Sequence, residues 1–178
     1  MRYFIFFLFF LSACSDGIKT LPSATGILSE VIFVVEDLLW ENHVKDVAFA
    51  TFGAPIQGLM QNESSFRAIQ VNHSEFKSIL KTHKNIVIIA NNVTTSNQKN
   101  KWAIGQLVVQ LEFKADSNKL TKDLNKVKAI FEFREIRILR NSIAKSSQKL
   151  QEKHIKEHFN IETLIPSEYT IIKDTVSL

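Results

Sequence analysis

The sequence predicts an α+β fold: a mixed, largely antiparallel sheet with helices packed on one face, in the order β-α-β-(α)-β-β-α-β. Three observations carry this. Short β-branched runs of strand length recur along the first two thirds, one long stretch from 117 to 158 keeps helical periodicity, and turn-forming residues separate them. Strand runs and helical stretches that alternate without a regular βαβ repeat fit an α+β layer architecture.

The elements follow in order. Pro22-Ser23-Ala24-Thr25-Gly26 is turn chemistry that opens the domain. Ile27 to Val35 is apolar on both faces, as a central strand would be. Asp37 is placed to cap a helix, and Leu38, Leu39, Trp40, Val44, Val47, Ala48 and Phe52 follow at helical spacing until Gly53-Ala54-Pro55 stops it. A strand is expected at Phe66–Val71, a short helix at Ser74–Lys81 capped by Ser74, and a strand at Asn85–Ala90. Asn91 to Lys101 has the composition of an exposed loop, and Trp102–Phe113 reads as the next strand.

Over residues 117–158, Leu120, Leu124, Val127, Phe131, Ile138, Ile143 and Leu150 lie near one stripe. A single helix of this length would run to roughly 60 Å, so a bend near Arg134 or two helices are both open. Tyr169-Thr170-Ile171-Ile172 reads as a final strand.

The N-terminus places the chain. Arg2 and the nine apolar residues Tyr3–Leu11 form the n- and h-regions of a signal peptide spanning residues 1–13, and Leu11-Ser12-Ala13-Cys14 has the form of a lipobox. Spanning a bilayer takes roughly 20 apolar residues, so a retained transmembrane helix is the weaker reading. Cys14 is the only cysteine, so no internal disulfide can form, and lipid attachment at Cys14 accounts for the thiol. Residues 14–20 then form a lipid-anchored tether and residues 21–178 a single α+β domain. Ser15 after the anchor, where Asp would argue for inner-membrane retention, favours the outer membrane, facing the periplasm.

Charge is unevenly spread. Residues 114–158 hold 12 Lys/Arg against 6 Asp/Glu, whereas residues 15–113 hold 8 against 9. Lys122, Lys126, Arg134, Arg137 and Arg140 form a candidate basic interaction surface, for another envelope protein, anionic lipid or an anionic envelope polymer. A solvated helix face is the simpler alternative. Export and the absence of RNP-like, zinc-finger or helix-turn-helix patterns argue against nucleic acid.

Catalytic signals are sparse. His154-Ile155-Lys156-Glu157-His158 matches H-x-x-E-H, in which two histidines at i and i+4 hold zinc and the glutamate serves as base. A third ligand would have to come from the last twenty residues, and a chance match in a Lys/Glu-rich helix is the alternative. No G-x-S-x-G elbow or phosphate-binding glycine loop is present, and no cofactor is implied. His43, His73 and His83 read as surface or hydrogen-bonded residues. Trp40 and Trp102 read as core anchors, with a stacking platform for a glycan or peptide as the alternative.

Several stretches occur together in order: Leu21-Pro22-Ser23-Ala24-Thr25-Gly26, Glu36-Asp37-Leu38-Leu39-Trp40, Gly58 to Phe66 (GLMQNESSF), Lys84-Asn85-Ile86-Val87 and Lys101 to Gln106 (KWAIGQ). On these residues the chain resembles the domain of unknown function 4837 family of Bacteroidetes-type envelope lipoproteins, over most of residues 21–172. The resemblance implies a lipid-anchored cell-envelope protein and carries no catalytic residue or cofactor. Ser64 stands where that family has proline. Its members are also longer, with a second portion beginning near Ile165-Pro166-Ser167-Glu168-Tyr169. A truncated product, a fragment and a naturally short variant are all open on this reading, and truncation would leave the strand at Tyr169–Lys173 as an unpaired edge. The leading expectation is a non-enzymatic binding or structural module, with a zinc-dependent hydrolase using His154, Glu157 and His158 as the alternative.

Overall fold

A computed structural model describes residues 20–172. The signal peptide, Cys14 and most of the tether therefore lie outside the described residues. Five strands form one sheet: β1 (Glu30–Val34), β2 (Arg67–Val71), β3 (Asn85–Ala90), β4 (Ser96–Lys99) and β5 (Leu107–Glu112). Their order across the sheet is β2-β1-β3-β5-β4. The helices are α1 (Asp37–Leu39), α2 (Lys45–Phe52), α3 (Ser117–Lys145) and α4 (Lys149–Phe159), with a π-helical turn at Trp40–Val44 and a 3₁₀ turn at Ser78–Thr82. Among the described residues, no helix is long and apolar enough to cross a membrane.

The α+β class and the mixed sheet match expectation, but the balance of pairing does not. β1 pairs in parallel with β2 (Glu30 opposite Arg67) and with β3 (Ile32 opposite Ile86), and β3 pairs in parallel with β5 (Asn85 opposite Leu107). Only β4 and β5 are antiparallel, Ser96 opposite Gln110. The correction turns on β4, which lies in the polar stretch expected to be loop. The chain leaves β3, reaches the far edge as β4, and returns as β5 between the two. With β4 unseen, β3 and β5 look like a simple hairpin pair. The apolar runs themselves suit parallel strands, which are buried on both faces.

The two faces are covered differently. Val31, Phe33 and Val35 of the β1 segment, Val87 and Ile89 of β3, and Leu107, Val109 and Leu111 of β5 pack against α2 and α3. Phe33, Phe52, Phe66 and Phe131 interlock there, with Phe33 and Phe52 edge-to-face at 5.2 Å between ring centres. Ile32, Val34, Ile86 and Val108 face the other way, under Phe76, Leu80 and Trp102. Helices α2 and α3 thus pack on one face, as expected, the 3₁₀ turn and loops close the second, and α4 buries no residue.

Local chemistry explains the remaining departures. Glu36, not Asp37, occupies the cap position, and Asp37 begins α1. The π-helical turn that follows buries both Trp40 and Val44 against the sheet. The helix expected at Ser74–Lys81 is instead an Asn72 turn, whose side chain accepts from the Ser74 amide at 3.0 Å, followed by the 3₁₀ turn. Ser78 has φ of +46°, which an α-helix does not accommodate. The long helical stretch divides at Ser146–Gln148 rather than bending at Arg134. Asp116 caps α3 by accepting from the Lys119 amide at 3.0 Å. Tyr169–Ile172 is irregular and forms no strand.

Phe131 is fully buried where α2, α3 and the sheet meet. Phe131→Ala is expected to cost about 3–5 kcal/mol, read as a lowered denaturation midpoint with an unchanged slope in urea.

Candidate binding cleft and the polar latch beneath it

The apolar stripe of α3 runs Leu120, Leu124, Val127, Phe131, and its next position is Glu135, only 7% exposed. A carboxylate in that position requires partners, because a buried unpaired charge is costly. It finds them at the N-terminal ends of the strands. Glu135 Oε2 accepts from the Ser29 amide at 2.8 Å, and Oε1 accepts from the Asn85 side-chain amide at 2.7 Å. Ser29 has φ of +56°, the left-handed conformation that few non-glycine residues adopt.

Asn85 is fully buried and is the hub. Its Nδ2 also donates to the Glu30 carbonyl at 3.0 Å, and its Oδ1 accepts from Arg134 Nη1 at 2.7 Å. Arg134 donates further to the carbonyls of Lys84 and Gly105. Burial pulls the guanidinium pKa below its ordinary value, and the adjacent Glu135 carboxylate opposes that shift. One turn of α3 therefore holds the starts of β1 and β3 and the approach to β5.

His83 closes the cluster. A carboxylate only accepts, so His83 Nε2 donates to Glu30 Oε2 at 3.0 Å, and Nδ1 lies 3.1 Å from the Asn85 carbonyl and 3.3 Å from the Asn85 backbone nitrogen. The ring lies under Gly26, whose φ is +90° and where any Cβ would collide with it. Gln106, also buried, donates to the Lys81 and His83 carbonyls and accepts from the Trp102 amide at 3.0 Å. This network is satisfied internally, which is what a structural tie requires.

Above Glu135 opens a cleft of about 490 Å³. Leu28, Pro55, Ile56 and Phe66 line one side, and Ile136 and Leu139 of α3 the other. Ser29, Gln57, Ser65, Lys128, Glu132 and Glu135 supply its polar atoms. Lys128 and Glu132 are 3.6 Å apart on the helix, so they largely neutralise each other. The cleft is thus an apolar trough in the size range of small-ligand sites, with one anchored carboxylate at its base.

The residues singled out from sequence are placed as follows. Lys122, Lys126, Arg137 and Arg140 are exposed on α3. Arg134 is not part of that surface: its guanidinium is drawn into the latch. The rings of His154 and His158 stack at 4.1 Å between centres, but His158 Nδ1 lies 3.0 Å from the His154 carbonyl and Glu157 pairs with Lys153 at 3.7 Å. Among the described residues, no third His, Cys, Asp or Glu joins them in a metal-binding group. Trp40 is a core residue, and Trp102 is half-buried edge-to-face on Phe76 at 5.5 Å, with Lys101 over its ring. Ile138 and Leu150, expected on the buried stripe, are exposed: Ile138 lies where α3 runs past the sheet, and Leu150 lies on α4, which buries no residue.

The latch was hidden in the sequence, although one signal marked it: a glutamate four residues after Phe131 on an otherwise apolar stripe. Removing it has a definite cost. Glu135→Ala strands the Ser29 amide and the Asn85 side chain, at about 1–3 kcal/mol for each donor left without a partner. Glu135→Gln keeps one acceptor and is expected to lose less; urea denaturation of the two variants beside the parent checks the order.

No curated protein and no solved structure matches the chain. A family described as a domain of unknown function (DUF8532) matches residues 24–144, from just before His83's glycine cover to the last turn of α3. The match takes in every strand of the sheet and the whole of the latch, and the chain belongs to this family of domains of unknown function.

Proposed function

We propose that the protein is a lipid-anchored module of the cell envelope that binds a partner without transforming it, seating an apolar segment of another envelope protein in the cleft above Glu135. The cleft carries this reading. Its walls are apolar side chains left uncovered at the edge of the sheet, and the titratable groups beneath are committed to holding the fold. His83 in particular is sealed under Gly26, away from any substrate. A binding trough needs shape and apolar surface, whereas a hydrolytic site needs an accessible base beside a nucleophile.

Anchoring rests on Leu11-Ser12-Ala13-Cys14 and on the resemblance to envelope lipoproteins. Acylation of Cys14 would hold the domain at the outer membrane, facing the periplasm, on a tether of a few polar residues. Kinship with the domain of unknown function 4837 lipoproteins belongs to the same proposal.

Two measurements test these parts separately. The intact mass of protein extracted from membranes is expected to match a chain beginning at acylated Cys14; an unmodified cysteine would remove the anchor. For the cleft, the neutral apolar probe N-phenyl-1-naphthylamine is expected to bind saturably with about one site per chain, a fluorescence signal that Leu139→Arg abolishes. Signal that never saturates, or that Leu139→Arg leaves intact, would refute the binding cleft.

A further inference from the structure

The outer face of α3 has a composition its neighbours do not explain. Leu120, Leu124, Val127, Phe131 and Glu135 define the side turned to the sheet. At 3.6 residues per turn, the opposite side carries Lys122, Lys126, Phe133, Ile136, Arg137 and Arg140. Phe133 is 69% exposed and Ile136 58%. No carboxylate lies within that stripe. Asp123 on its flank reaches Lys126 at 3.7 Å, but among the described residues Lys122, Arg137 and Arg140 have no ion-pair partner. From Lys122 to Arg140 the stripe spans about 27 Å.

We infer that this face seats on an anionic lipid surface, with Phe133 and Ile136 entering the acyl boundary and the four cations meeting headgroup phosphates. The inference rests on the lipid-anchor reading, which would bring the domain to a bilayer. Charge complementarity selects the occupant. A second copy of the same face would set like charges against each other. A soluble polyanion would reward the cations and leave the two large apolar side chains in water. A bilayer with anionic headgroups satisfies both, as it does for interfacial amphipathic helices. The surface also has depth beside these residues: a hollow of about 400 Å³ lies between Phe133, Ile136, Arg137 and Arg140 on α3 and Leu164 of the C-terminal segment.

The test places a reporter in the seat. In the full chain, Phe133→Trp is mixed with vesicles carrying brominated acyl chains, made of phosphatidylcholine alone or with one third phosphatidylglycerol. The parent, with Trp40 and Trp102, is the reference. The new tryptophan is expected to shift to the blue and be quenched several-fold more strongly on the phosphatidylglycerol vesicles. Reversing Lys122, Lys126, Arg137 and Arg140 to Glu in the same background is expected to abolish the quenching while circular dichroism stays unchanged. Absence of quenching, or equal quenching on both vesicle types, overturns the proposal. Binding to dextran sulfate without quenching on vesicles overturns it in favour of a soluble polyanion. Repeating the measurement with Cys14→Ser separates the two readings: quenching that survives shows the seat independent of the anchor, and the intact mass judges the anchor by itself.

Discussion

Everything in this fold that depends on the position of α3 depends on one carboxamide. Asn85 lies fully buried at the start of β3, donating to Glu135 and to the Glu30 carbonyl and accepting from Arg134. Apolar contact along α3 is strong but nearly non-directional, since a helix can slide by a turn over a sheet of Val and Ile with little change in buried area. Hydrogen bonds in a dry interior are directional and costly to leave unmade. Glu135 and Arg134 therefore fix which turn of α3 meets the strand ends, while the phenylalanine cluster supplies most of the adhesion.

The latch also marks where the sheet stops supporting the helix. Before it, the stripe from Leu120 to Phe131 is buried; beyond it, Ile138 and Leu139 on the inward side are exposed. At about 1.5 Å per residue, the 29 residues of α3 reach about 43 Å, more than twice the length of these strands. The helix carries two surfaces with functional potential. Ile136 and Leu139 of the overhang wall the cleft, while the outward side of the helix, from Lys122 past the latch to Arg140, presents Phe133 between cations. One overlong helix thus offers two different faces to two different kinds of partner.

Much of this was legible in the chain. The run at β1 is apolar on both faces, which marks it as central, β3 is rich in Ile and Val, β5 alternates Leu107, Val109 and Leu111 onto one face, and the Leu120-Leu124-Val127-Phe131 stripe gives the inward side of α3. Lys122, Lys126, Arg137 and Arg140 could be placed on a common exposed surface by spacing alone. Other features could not be read. Ser96–Lys99 is polar because its side chains are mostly exposed, so it looks like loop. Arg134 resembles its basic neighbours in sequence and differs only in where its side chain goes. His83, Asn85 and Gln106 carry no local pattern, because their partners lie on other elements.

The sequence by itself determined the class of fold, the order and face of its main apolar elements, and the concentration of positive charge on α3. These are properties of local periodicity and composition, and a segment carries them wherever it is placed. Only the tertiary structure decided the parallel direction of the sheet, the register of α3 and the identity of the buried polar hub. Those depend on contacts between residues such as Ser29 and Glu135, 106 positions apart. Hydrogen bonds at that separation exist only once the chain has closed the loop between them, so no window along the sequence contains their signature.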